Sequence, residues 1–224
     1  MEQRTPEWFA LRLGKVTASR VADVIAKTKS GPSALRANYE AQLIAERLTG
    51  QQQDSFTNAA MQWGTDTEPQ AIAAYSFMHD AEVSPIGFIG HPTIAESGAS
   101  PDGLVGGDGL VEVKCPNTAT HIATLLGEKV PAKYVTQMQW QMACLPARQW
   151  CDFVSFDPRM PADLQLFVQR VERDDDMIAE LEREVTIFLS QLADKVRRLE
   201  RLNSNPTILG DVPVDDFPGD RVRA

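Results

Sequence analysis

The sequence predicts a mixed α+β fold, α/β in the broad sense, and three observations carry that prediction. Helical patterns fill the chain up to Met78, short β-type runs bounded by Gly, Pro, Asp and Ser then take over, and a long amphipathic pattern from about Asp175 to Leu202 closes it. No internal repeat breaks that order. At 224 residues the chain suits one domain, 1–224, with a Pro/Gly/Asp-rich C-terminal tail over about 203–224.

Taken in order, "TPEWFALRL" over 5–13 begins as a Thr-Pro helix start and places Trp8, Leu11 and Leu13 on a short amphipathic turn. In "TASRVADVIAK", Val21, Val24 and Ile25 share one face of a helix that Ser19 can cap. "ALRANYEAQLIAERLTG" reads as a helix with Leu35, Tyr39, Leu43 and Leu48 inside and Gly50 as terminator. The polar link "QQQDSFTN" leads to a helical stretch from about Ala59 to Met78, which Pro69 either kinks or restarts. "EVSPIGFIGH", "TIAESGAS" and "GLVEVKC" then form a predicted three-strand meander, with "QWCDFVSFD" and "LQLFVQRVE" as a later strand pair. Between them lie two helical patterns, "TATHIATLLGE" and "AKYVTQMQWQMACL". In the last helix Ile178, Leu181, Val185, Phe188, Leu192, Val196 and Leu199 recur every three or four residues, with acids at its start and bases at its end.

Composition narrows the classes of function. With 43% hydrophobic and 24% charged residues the chain is built to fold, and no apolar run approaches the length that crosses a bilayer. No signal pattern opens it either, so a cytoplasmic location is expected. Cys115, Cys144 and Cys151 are an odd set without a C-x-x-C pair, which argues against a disulfide framework or a zinc site and for buried thiols. A net charge of −9 counts against holding a polyanion with the whole surface. Between Arg12 and Arg36, however, Arg12, Lys15, Arg20, Lys27, Lys29 and Arg36 face only Asp23. That segment is either a local phosphate-binding patch or a solvated helix face.

The chemistry concentrates in "ASPDGLVGGDGLVEVKCP", residues 99–116. Strand alternation sends Glu112 and Lys114 to one side and Val111 and Val113 to the other, and Asp102 lies ten residues before Glu112 across a glycine-rich reversal. A hairpin there brings the two carboxylates together. Such a pair repels unless a proton or cation lies between, and oxygen ligands favour Mg²⁺ or Mn²⁺ over zinc. A lysine on the same face can orient or help deprotonate a water, which completes the minimum set for phosphodiester hydrolysis. By itself the stretch also reads as an ordinary turn followed by the wet face of an edge strand.

Other segments bear on that choice. "LRLGKVTAS" at 11–19, "QWGTDTE" at 62–68, "SPDGL" at 100–104, "LVEVKCP" at 110–116, "QMQ" at 137–139 and "DPRM" at 157–160 occur together and in this order. In that arrangement the chain resembles the lambda-type viral recombinase exonuclease family, within the restriction-endonuclease-like PD-(D/E)xK nucleases, over roughly residues 7–200. The resemblance implies a central mixed sheet flanked by helices and a single nuclease domain. It implies that Asp102, Glu112, Glu68 and the Val113 carbonyl hold Mg²⁺, with Mn²⁺ also supporting activity, and that Lys114 and Gln137 position the attacking water. A 5′-phosphate pocket would fall on Arg12, Ser19 and Ser100. Lys29 aligns with a second family arginine, keeping its charge but not its fork, and Ala59 stands where the family can carry a basic residue. Met61 aligns with an apolar strand-separating wedge, though it also fits a core methionine.

The activity so implied is a Mg²⁺-dependent 5′→3′ exodeoxyribonuclease. It would degrade one strand of linear double-stranded DNA from a 5′-phosphorylated end, releasing 5′-mononucleotides and leaving a 3′ overhang for single-strand-annealing recombination. The implied partners are two further copies in a toroidal homotrimer and a single-strand annealing protein, in a bacterial host carrying a phage or prophage. Two rivals remain at this level: a site- or structure-specific endonuclease of the same superfamily, and a DNA-end-binding protein without catalysis.

Overall fold

The computed structural model describes residues 2–29, 31–53, 59–127 and 129–204, except for the side chains of 203 and 204. The predicted tail beyond the last helix therefore lies outside the described residues, as does part of the polar link before Ala59. Thr5 opens α1 (Pro6–Arg12) by accepting from the Trp8 amide, and Pro6 occupies the first helical turn, where no donor is missed. β1 (Val16–Thr17) leads through a 3₁₀ turn over Ala18–Arg20 into α2 (Val21–Ile25). Ser19 caps nothing: it lies inside the 3₁₀ turn, and Arg20 precedes α2 without a side-chain cap. A small hairpin, β2 (Lys27–Thr28) with β3 (Gly31–Pro32), precedes α3 (Ala34–Thr49).

Ser33 caps α3, and Gly50 ends it in the left-handed region at φ 65°, where a Cβ would be strained. The buried stripe of α3 is Tyr39, Leu43 and Glu46; Leu35 and Leu48, expected inside, are 57% and 44% exposed because both sit at the helix ends, outside the packed centre. α4 (Ala59–His79) runs unbroken through Pro69. The ring removes only one amide donor, that facing the Thr65 carbonyl, and the burial of Ala71 and Tyr75 holds the second half in place.

β4 (Val83–Ser84), β5 (Ile89–Gly90), β6 (Ser97–Ala99), β7 (Gly103–Val105) and β8 (Gly109–Lys114) follow, then α5 (Thr118–Gly127), α6 (Ala132–Cys144), β9 (Trp150–Phe156), β10 (Leu166–Glu172) and α7 (Asp175–Ser204). The expected meander divides between two sheets. β5 and β6 join β1 in one of three strands, while β4, β7 and β8 join β9 and β10 in the order β10-β9-β8-β7-β4. β7 was not anticipated as a strand. Its Gly103 is required, since a Cβ there would lie 2.2 Å from Val83 Cγ1. β8 pairs antiparallel with β7 and parallel with β9, and a parallel pair needs a crossover, here α5 and α6.

This topology makes β8 a central strand with both faces covered. Val111 and Val113 pack with Ala71 and Tyr75 of α4 on one side, whereas Leu110 packs with Met138 and Met142 of α6 on the other. α6 is itself enclosed, because Trp140 and Cys144 face a second helical layer formed by α2, α3 and α7. Every residue of α6 from Thr136 to Cys144 is consequently buried.

Candidate active site

A cleft of about 780 Å³ opens beside the C-terminal end of β8. Glu68 and Met61 reach it from α4, Gln137 from α6, Ser100 and Asp102 from the turn between β6 and β7, and Glu112, Val113 and Lys114 from β8. Arg12 and Ser19 close the far end. Lys29 is the candidate that the fold does not bring in: it sits exposed in the turn between β2 and β3, where neighbouring Lys27 pairs with Glu184 of α7.

At the cleft floor Glu112 is 1% exposed, which rules out the wet face of an edge strand. A buried carboxylate requires donors, and α6 provides two. Gln137 Nε2 donates to Oε1 at 2.6 Å and Gln141 Nε2 to Oε2 at 2.5 Å, while the Lys114 ammonium pairs with Oε1. Asp102 accepts the Val113 amide at 2.7 Å, which ties the turn to the strand. Burial foremost, and then Glu112 and Glu68, push the Asp102 carboxyl well above its usual range against the opposing pull of Lys114. Burial alone would lower the Lys114 ammonium, but Glu112 and Asp102 outweigh it and hold it raised. Lys114 is thus held as the ammonium in the metal-free cleft. Beside it, burial together with Glu68 and Asp102 lifts the Cys115 thiol to about 12, so it stays protonated and inert.

The donor chemistry fits a hard divalent cation. Three carboxylates and a strand backbone share one cleft, where Glu112 and Glu68 add to burial in raising the Asp102 carboxyl against the pull of Lys114. Among the described residues no three His, Cys, Asp or Glu side chains stand together as a ready-made metal cage. The reason is visible at Glu112, whose oxygens are held by Lys114, Gln137 and Gln141, and at Glu68, whose Oε2 pairs with Arg4 at 2.6 Å.

The other end of the cleft is basic. Arg12 donates to Ser100 Oγ at 3.1 Å, Trp8 Nε1 donates to the same oxygen at 3.0 Å, and the guanidinium lies 3.9 Å from the Trp8 ring centroid. No carboxylate pairs with Arg12 among the described residues, and burial lowers it to about 10 despite Tyr39 and Glu46 nearby. Ser100, having accepted two bonds, keeps its own proton to donate. Ser19 lies 3.5 Å from the Thr17 hydroxyl and is available to the cleft precisely because it caps no helix.

Three residues escaped the sequence reading. Gln141 repeats the Gln137 side of α6 one turn later, so the spacing in "QMQWQ" was the available signal. Trp8, read only as an amphipathic anchor, turns its indole N–H onto Ser100. Arg4 carried no signal, since its contact with Glu68 spans 64 residues.

A helix-flanked mixed sheet with a carboxylate–lysine strand at its centre defines the restriction-endonuclease-like fold. The profile of the YqaJ-like viral recombinase domain matches residues 7–147, and the chain belongs to that family. An alkaline exonuclease from Laribacter hongkongensis (LHK-Exo) is 56% identical and superposes with a TM-score of 0.84, covering 89% of this chain and 98% of that one. The same enzyme solved with dAMP matches equally well, at 56% identity, TM-score 0.84 and the same 89% and 98% coverage. A phage-related exonuclease from Haemophilus somnus, 16% identical with a TM-score of 0.67 over 83% of this chain and 96% of that one, shares the fold. No curated protein matches the sequence. Among the described residues no helix is long and apolar enough to cross a membrane.

Proposed function

We propose that the protein is an exonuclease that degrades one strand of linear duplex DNA in the 5′→3′ direction from a phosphorylated end and releases 5′-mononucleotides. The observation that carries this reading is the partly buried Arg12 guanidinium, which pairs with no carboxylate among the described residues and is hydrogen-bonded to Ser100 two residues before Asp102. A guanidinium partly withdrawn from water with no carboxylate on its donors is an anion seat, and a terminal phosphate with bidentate geometry suits it. Hydroxyl donors from Ser100 and Ser19 complete that seat. The 56% identical exonuclease and its complex with dAMP, a 5′-mononucleotide, support the product side.

Asp102, Glu112, Glu68 and the Val113 carbonyl would hold Mg²⁺, or Mn²⁺ in its place. Bound there, the cation would supply Lewis-acid activation and charge neutralisation at the scissile phosphate. Lys114, a charged donor, orients the attacking water and offsets negative charge building on the phosphate. Gln137 fixes Lys114's partner Glu112 and presents its amide to the same space. Met61, 52% exposed at the cleft on α4, suits an apolar wedge better than a core position. We further propose a ring-shaped homotrimer acting with a single-strand annealing protein, since encirclement would keep a chain of net charge −9 on DNA.

Linear duplex labelled at the 5′-phosphate or at the 3′ end, incubated with Mg²⁺ or chelator beside a closed circle, tests the reading. Early release of the 5′ label alone, Mg²⁺-dependent and with the circle intact, is expected, and Arg12→Ala should erase the preference for phosphorylated ends. Cutting of the circle would move the assignment to an endonuclease.

A further inference from the structure

The N-terminal segment ahead of α1 is built into the cleft rather than draped past it. Gln3 donates its amide to the Ile86 carbonyl at 3.0 Å and to the Pro101 carbonyl at 2.7 Å, so the segment is fastened to the turn that carries Asp102. The next residue, Arg4, has φ 67°, a left-handed conformation that side-chain-bearing residues seldom adopt. That backbone turn directs the guanidinium onto Glu68 Oε2 at 2.6 Å, with the arginine side chain 45% exposed and the glutamate 23% exposed. Thr5 then caps α1, which delivers Trp8 and Arg12 to the phosphate end. An unfavourable backbone conformation held by two anchors at a cleft points to use of the side chain it aims.

Resting on the proposed reading of the cleft, we infer that Arg4 is a second phosphate-binding guanidinium, kept on Glu68 until a divalent cation takes that carboxylate. The charges require a choice. Glu68 can be neutralised by Arg4 or serve as a cation ligand, and the two positive groups compete for it. Released from Glu68, Arg4 lies in the same cleft as Arg12 and Ser100 and supplies a fork-shaped donor for the DNA backbone next to the terminal phosphate. Cation and DNA binding are thereby coupled through one side chain: the ion that engages Glu68 also frees a ligand for the substrate.

Arg4→Gly is the informative variant, because glycine accepts φ 67° without strain and keeps the Gln3 and Thr5 anchors. Calorimetric titration of the DNA-free protein with Mn²⁺ should show binding tightened about two- to five-fold in Arg4→Gly, the range of a partly exposed ion pair removed from competition. Binding of a 5′-phosphorylated hairpin duplex in Ca²⁺ should weaken in the same variant, and Arg4→Lys should restore part of it. These opposite shifts separate the inference from a merely structural role, in which both affinities would fall together. Unchanged affinity for Mn²⁺, or for DNA, in Arg4→Gly against a wild type that binds both would overturn the role of Arg4 alone. A wild type that takes up no Mn²⁺ and releases no nucleotide would overturn the reading of the cleft along with it.

Discussion

Asp102 is held in the fold at a thermodynamic cost. Burial, Glu112 and Glu68 raise its carboxyl, so its contribution to stability is fully present below the unfolded value of about 3.9 and is lost as pH rises through the folded one. Asp102→Asn is therefore expected to abolish nuclease activity assayed with Mg²⁺ and, in chelator, to melt higher than the wild type at neutral pH, by roughly 2–4 °C per kcal/mol regained. Melting curves recorded from pH 4 to 8 check the sign, since the wild type should lose stability relative to the variant across that window. Gln141 makes the complementary case. Gln141→Leu leaves a buried Glu112 oxygen without its donor, which should cost about 1–3 kcal/mol in urea unfolding. Activity should drop about 10- to 100-fold, as when outer-shell partners of a reaction centre are lost, with KM for DNA little changed.

At the scale of elements, the "DPRM" segment acts as a clamp. Asp157 accepts from Thr118 at the start of α5 and from the Arg159 side chain at 2.7 Å, while the Arg159 guanidinium lies 4.3 Å from the Trp63 ring centroid on α4. Three elements thus converge at the end of β9, and α4, which carries Glu68, is held by the stack. Burial would raise the Asp157 carboxyl, but hydrogen bonds from Arg159 and Thr118 reverse that and lower it to about 2. The stability so gained is present above about 3.9 and is lost as pH falls through about 2. Arg159→Ala should shift this acid limb to higher pH and lower the Mg²⁺-dependent rate through looser placement of Glu68. Denaturant unfolding at pH 2 to 6 reads the first effect, and a variant whose acid limb matches the wild type would deny the clamp its role.

For the whole molecule, the governing fact is a net charge of −9, with Arg4, Arg12, Lys114 and Lys133 lining one cleft. A chain of this charge cannot hold DNA by a general attraction. Sedimentation of the protein should therefore give three times the 24.7 kDa chain mass, as the proposed ring requires. Rising salt should reduce loading on DNA ends far more than it shortens the tracts digested after loading, because enclosure is insensitive to screening. A monomeric boundary, or tract lengths that collapse with salt in step with loading, would remove the ring from the account.

What the sequence determined by itself was local chemistry and its order. Alternation in "LVEVKCP" put Glu112 and Lys114 on one face, the Thr-Pro start and Gly50 set helix ends, and the recurring apolar residues of the last helix defined its buried stripe through Leu192. These depend on neighbours within a few residues, where period and backbone preference decide. Only the tertiary structure decided that β8 is central rather than an edge, because its partners β7 and β9 and its covers α4 and α6 come from separate parts of the chain. That enclosure dried the carboxylate face, recruited Gln141 to Glu112, split the expected meander between two sheets and left Lys29 outside. It also set Arg4 on Glu68, a contact across 64 residues that no pattern in the chain encodes. Burial and long-range pairing turn a common Glu-x-Lys into the floor of the candidate site, and both are properties of the packed molecule.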